Sequence, residues 1–303
     1  MRGFAGLTKR NLLIYFKDIQ SVIFSLLTSI IVFVLYLLFL KGTFVDAVDA
    51  AMQGLETMVA AEDVEMLVNG ILLVGILGSA MITIPYNCLS TIVKDREQKI
   101  DYDISATPIR RWQIVLSYFL ASTLSAFIMT GILLTVGLVI LSGMGELHMS
   151  LWMLLAAYGI VLLGAVSATA FFMIVVLFFQ SSSASGAFFG MLSAAAGFVI
   201  GAYIPISQFS EGVQTFCNLF PASHITILFR NALLNGLVEE MNASIGGIDQ
   251  GMFVSSVKDS FTFRAKLLGS SLNQIGSVWY VAGVIVLCIG IMILAYSRTY
   301  KRK

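Results

Sequence analysis

The chain has 303 residues, 58% of them hydrophobic and only 12% charged, with a mean hydropathy of +0.92 and a net charge of +1. A soluble domain carries roughly 25% charged residues, so a water-soluble fold with a large core is excluded and an all-α polytopic membrane protein is expected. Three scattered cysteines (Cys88, Cys217, Cys288) and two distant histidines (His148, His224) supply neither a disulfide framework nor a metal spacing.

Residues 1–20 set Lys9, Arg10 and Lys17 on one side of a helical wheel. Most apolar residues face the other way, with Asn11 and Asp18 intruding. The pattern predicts an amphipathic helix lying in the membrane interface; the alternative is a merely basic N-terminal flank. Residues 22–40 carry no charge over nineteen positions, enough to cross a hydrocarbon core of roughly 30 Å. The run is too long for the apolar region of a signal peptide and has no small-residue cleavage site, so it is expected to be a retained span. An acidic excursion at 41–66 follows. The second span is expected at 67–93, with Pro85 kinking it or ending its regular part. Spans three to six are expected at 114–141, 151–179, 184–204 and 278–296.

Residues 205–235 are broken by Pro205, Glu211, Pro221 and Arg230. They are too polar for a span and too apolar for a free loop. Short re-entrant helices dipping in from one face fit, since irregular backbone at that depth survives only where protein or water covers it. A polar segment at 236–276 precedes the last span.

Lysine and arginine set the orientation. The N-terminal flank, the stretch 94–111 and the tail from Arg298 hold thirteen of the eighteen bases. With six spans these three lie on one side, which predicts that both termini are cytoplasmic.

In the fifth span Gly186, Gly190, Gly197 and Gly201 are spaced to share a helical face, as in close helix packing. Either a subunit interface or ordinary packing within the chain accounts for them. The run Leu141-Ser142-Gly143-Met144-Gly145 imitates an ATPase signature loop, but the chain has no GxxxxGK[ST] phosphate loop. The spans hold almost no ionisable residues, which argues against an ion-coupled pump and suggests that energy arrives from outside the chain.

The stretch KDREQKIDYDISATPIRR at 94–111 has nine charges in eighteen residues between two apolar runs. It must lie in water. Thr107 is placed to cap the third span, with Pro108 at its first helical position. Composition alone makes it a solvated topology loop. In layout, however, the chain resembles the ABC-2 type transporter permease family. The local match is Glu97 after span two, then Thr107-Pro108, then Arg110 and Arg111 entering span three; Phe220-Pro221 through Arg230-Asn231-Ala232-Leu233 is a second, weaker match. Gln98 departs from the glycine that often follows the family's acidic residue.

The resemblance implies a coupling helix within 94–113, with Glu97, Thr107, Pro108, Arg110 and Arg111 docking a separate ABC ATP-binding subunit. It implies a partner permease chain, identical or different, and an exporter in a bacterial plasma membrane. ATP and Mg would be bound by the partner subunit and no cofactor by this chain; membrane lipid is an expected partner and nucleic acid is not. The favoured cargo is a drug or antimicrobial peptide, with a lipid-linked polymer second. A path through spans one, two and five fits such a cargo. A membrane sensor or assembly subunit of the same fold is the alternative; an intramembrane enzyme lacks the clustered polar groups it would need.

Overall fold

The computed structural model describes residues 2–52, 58–146, 148–246, 249–267 and 269–299. Twelve helices and one two-stranded hairpin form among them: α1 Arg2–Lys17, α2 Ile19–Leu35, α3 Lys41–Met52, α4 Ala61–Glu97, α5 Ile100–Ala106, α6 Arg111–Ser142, α7 Leu151–Val176, α8 Ser182–Val199, α9 Glu211–Leu219, α10 Pro221–Ile245, α11 Met252–Ser260, β1 Ala265–Leu267, β2 Ser270–Leu272 and α12 Gln274–Thr299. The fold is an all-α polytopic membrane protein, with six helices long and apolar enough to cross a bilayer among the described residues.

Helix α4 is the central post. Its most apolar stretch is 94% buried, and α2, α6, α7, α8 and α10 all pack on it. Its 37 residues give about 55 Å at 1.5 Å per residue, well beyond a core of about 30 Å. The helix runs through Pro85 instead of ending there. Around it α2, α6, α7 and α12 turn large apolar side chains such as Phe24, Val139, Leu155 and Val286 outward, as lipid-facing helices do.

In lipid, helices associate by close contact more than by hydrophobic burial. At Gly164 of α7, an added Cβ would lie 2.6 Å from Met81 Sδ and 3.0 Å from Ile225 Cγ2. The seam of α4, α7 and α10 therefore requires glycine at this position.

Three expectations are corrected. The excursion at 41–66 is not a loop throughout: α2 continues through a π turn, Tyr36–Leu40, into α3, giving one helix over Ile19–Met52. The reason is a buried stripe at Phe44, Val48, Ala51 and Met52, a helical spacing diluted in the sequence by Asp46 and Asp49. The re-entrant segment is not built of short helices alone, because α10 has 25 residues. It runs antiparallel to α12: His224 stacks on Tyr280 at 4.3 Å, and Gln274 donates to Asn231 Oδ1 at 2.8 Å. Pro221 thus starts α10 well below the beginning of α12, and the helix climbs out from there. The fifth helix stops at Val199, not 204, because Gly201 adopts a left-handed φ of 69°.

Candidate functional site

The last turn of α4, Lys94-Asp95-Arg96-Glu97, is where the bundle is tied together. Consecutive helical residues point about 100° apart, so four of them look in nearly all directions around the axis. Each holds a different element.

Lys94 Nζ lies 2.6 Å from Asp18 Oδ2. Asp18 is the N-cap of α2 and also accepts from Ser21 N at 3.1 Å. The Lys94 ammonium is the main cause holding the Asp18 carboxyl at about 2, below its ordinary 3.8. Asp95 is buried, with only 4% of its surface exposed. Arg10 of α1 donates to both of its oxygens, at 2.5 and 2.8 Å, and Tyr118 of α6 donates to Oδ2 at 2.5 Å. The bond to Asp95 raises the Arg10 guanidinium above its ordinary value despite opposing desolvation.

Arg96 Nη1 donates to the carbonyls of Leu177 and Phe179, both at 2.8 Å, just past the C-terminal end of α7. Glu97 Oε2 accepts from the backbone and side chain of Ser182 at the first turn of α8. A cation at a helix C-terminus and an anion at an N-terminus are the arrangements the helix dipole favours.

Beyond this knot the chain turns at Lys99, with φ 62°, into α5, which buries none of its residues. Thr107 closes α5, its hydroxyl donating to Ile104 O at 2.6 Å. It does not cap the third span: Pro108 favours an extended Thr107, and α6 starts at Arg111 with Arg110 as its N-cap residue. Arg110 N donates to Gln113 Oε1 at 3.1 Å, while Thr107, Pro108, Arg110 and Arg111 are exposed. All five residues singled out in the sequence are exposed; Glu97 also bonds Ser182 of α8, and the other four lie on the α5 side.

The N-terminal bases divide as well. Lys9 and Lys17 are exposed, but Arg10 turns toward Asp95. Leu7, Asn11 and Tyr15 are the buried face of α1, which packs along α6. Asn11, an intruder by sequence, accepts from Arg10 Nη1 at 2.9 Å. Asp95, Lys94, Arg96, Tyr118 and Ser182 were missed by sequence reasoning; Arg10 and Asp95 lie 85 positions apart and no local pattern links them.

Beside the knot, α2, α4 and α8 border a cavity of about 130 Å³ whose lining mixes polar groups of Ser21, Asn87, Ser90, Lys94, Ser182 and Ser185 with Tyr86, Val93 and Phe189. Gly186, Gly190 and Gly197 share one face of α8, and the row breaks at Gly201. Gly186 and Gly190 are open, Gly197 lies under the Tyr203 ring, and Gly201 is beyond the helix. Pro221 opens α10. Arg230 is buried and donates to the carbonyls of Thr262, Ile200 and Gly201 at 3.0 to 3.2 Å, fastening the re-entrant segment to the end of α8.

A family model described as ABC-2 family transporter protein matches residues 46–296. No curated protein and no solved structure matches the chain. The match leaves out α1, α2, the start of α3 and the tail, and includes the last turn of α4 and α5. The chain belongs to the ABC-2 transporter family, as a membrane permease subunit of an ABC transporter.

Proposed function

We propose that the chain is the permease of an ATP-driven exporter in a bacterial plasma membrane. The exposed surface of α5, Thr107, Pro108, Arg110 and Arg111 docks a separate ATP-binding subunit, which carries the ATP and Mg. The observation that carries this reading is the contrast at the end of α4. A helix with no buried residue projects from a junction bonded to α1, α2, α6, α7 and α8. A push on α5 reaches every one of those helices through four consecutive side chains.

The knot end holds the N-terminal helix and the base-rich stretch, so it faces the cytoplasm by the rule for lysine and arginine. The cavity between α2, α4 and α8 is the inner mouth of the path. The open glycine face of α8 is where a second permease chain packs. Lys9 and Lys17 hold α1 at the headgroups. An amphipathic cargo, drug or peptide, suits a mouth that mixes polar and apolar groups; a lipid-linked polymer is the second choice.

The test is reconstitution of the chain with its ATP-binding partner in proteoliposomes, following a fluorescent amphipathic peptide. The expected result is ATP-dependent movement in one direction. ATP hydrolysis without movement of any amphipathic probe would favour the sensor reading of the same fold.

A further inference from the structure

A second cavity, of about 360 Å³, lies at the opposite end of the bundle, between the helix Ile19–Met52, α4 and α6. Its walls are apolar, from Ile30, Phe33, Ile76, Leu133, Val136 and Ile140. Ser29 and Lys41 both line it; twelve residues of helix separate them, about 18 Å. It is therefore a groove along the helix axes. Val136 is 51% exposed and Ile140 58% exposed, so the groove opens sideways toward lipid.

Two polar side chains in its walls are more than nine-tenths buried: Asn69 at 8% and Ser29 at 2% exposure. Asn69 Nδ2 and Ser29 Oγ have no partner among the described residues. A buried donor left unpaired is costly, so Asn69 calls for an acceptor from beyond the described residues. At the mouth, Lys41 Nζ lies 2.5 Å from Glu65 Oε1. Glu65 is one helical turn before Asn69, about 6 Å along the axis. From mouth to interior the groove thus presents Lys41, with Glu65 paired to it just outside the lining, then Asn69, then an apolar channel with Ser29 at its inner end.

We infer that this groove is a binding site for one bilayer phospholipid with a primary-ammonium headgroup, held in the leaflet opposite the knot. The phosphate meets Lys41, the ammonium meets Glu65, the Asn69 amide turns into the groove to donate to an ester carbonyl, and one acyl chain lies between α2 and α6. A neutral charge pair at the mouth selects a zwitterion over a net anion. A quaternary ammonium has no N–H to give Glu65. The inference rests on the membrane placement of the fold and not on transport.

The test is native mass spectrometry of the full chain released from detergent, with phosphatidylethanolamine, phosphatidylglycerol and phosphatidylcholine of identical acyl chains supplied together. The wild type is expected to retain one phosphatidylethanolamine, about fivefold over phosphatidylcholine, as one net hydrogen bond gives. Val136→Trp fills the groove from an exposed position and is expected to reduce retention of all three lipids at least about fivefold with an unchanged unfolding temperature. Glu65→Gln leaves Lys41 unopposed and is expected to shift the preference to phosphatidylglycerol. Equal retention of the three lipids by the wild type, or no effect of Val136→Trp, overturns the site. An unchanged headgroup order in Glu65→Gln overturns the headgroup assignment.

Discussion

Removing the Arg10 side chain leaves Asp95 buried and, among the described residues, held by Tyr118. The Asp95 side chain is 6% exposed and that of Arg10 32%, so the pair is sheltered on one side and open on the other. Two unit charges about 4 Å apart attract by about 4 kcal/mol at an effective dielectric of 20. Breaking a buried pair from one side costs roughly 3–5 kcal/mol. The exposure of Arg10 and the surviving Tyr118 bond place Arg10→Ala near the low end, about 3 kcal/mol. Arg10→Ala with Asp95→Ala is expected to cost clearly less than the two single changes summed, with a coupling of about 2 kcal/mol. The assay is a double-mutant cycle of reversible unfolding in mixed micelles. A cost for Arg10→Ala below about 0.5 kcal/mol, the scale of an ordinary surface change, or strict additivity, refutes the account of the junction.

Three further outcomes are expected. Folding holds the Asp18 carboxyl at about 2 against an ordinary 3.8, so its tie to Lys94 is fully present above that ordinary value and is lost as the pH falls toward about 2; the stability gap between wild type and Asp18→Asn, measured by thermal unfolding in detergent, should be open at pH 7 and closed at the acid end. Gly164→Leu must displace Met81 and Ile225 and is expected to cost about 1–3 kcal/mol. At Gly186 an added Cβ meets nothing within 4 Å, so Gly186→Ala should not lower the unfolding temperature while lowering the yield of crosslinked permease pairs.

The count of six spanning helices was legible in the sequence because uncharged runs of span length leave few other readings. Where helices leave the lipid, that signal ends. Asp46 and Asp49 made α3 read as loop, although its buried side still follows a helical spacing. The charged stretch at 94–111 was legible as a segment in water, yet its first four residues bond to α1, α2, α6, α8 and the end of α7. Charge content cannot separate Asp95, held by Arg10 and Tyr118, from Arg110 and Arg111, which are exposed. That difference comes from partners up to 85 residues away. The glycine row misled for a local reason. Spacing presumes a continuous helix, and α8 stops at Val199 before the chain folds Tyr203 back over Gly197. The proline at 221 read correctly as a break, but not the 25-residue helix it starts.

The measurement that tests the central claim most directly is co-purification with the ATP-binding partner. The wild type is compared with a charge reversal at two exposed positions, Arg110→Glu with Arg111→Glu. The account predicts that the wild type retains the ATP-binding subunit through detergent extraction. The double variant should lose it with an unchanged unfolding temperature, because neither side chain supports the fold. Equal retention by the double variant, or no ATP-binding subunit with the wild type, would contradict the assignment of α5 and its flank as the docking surface.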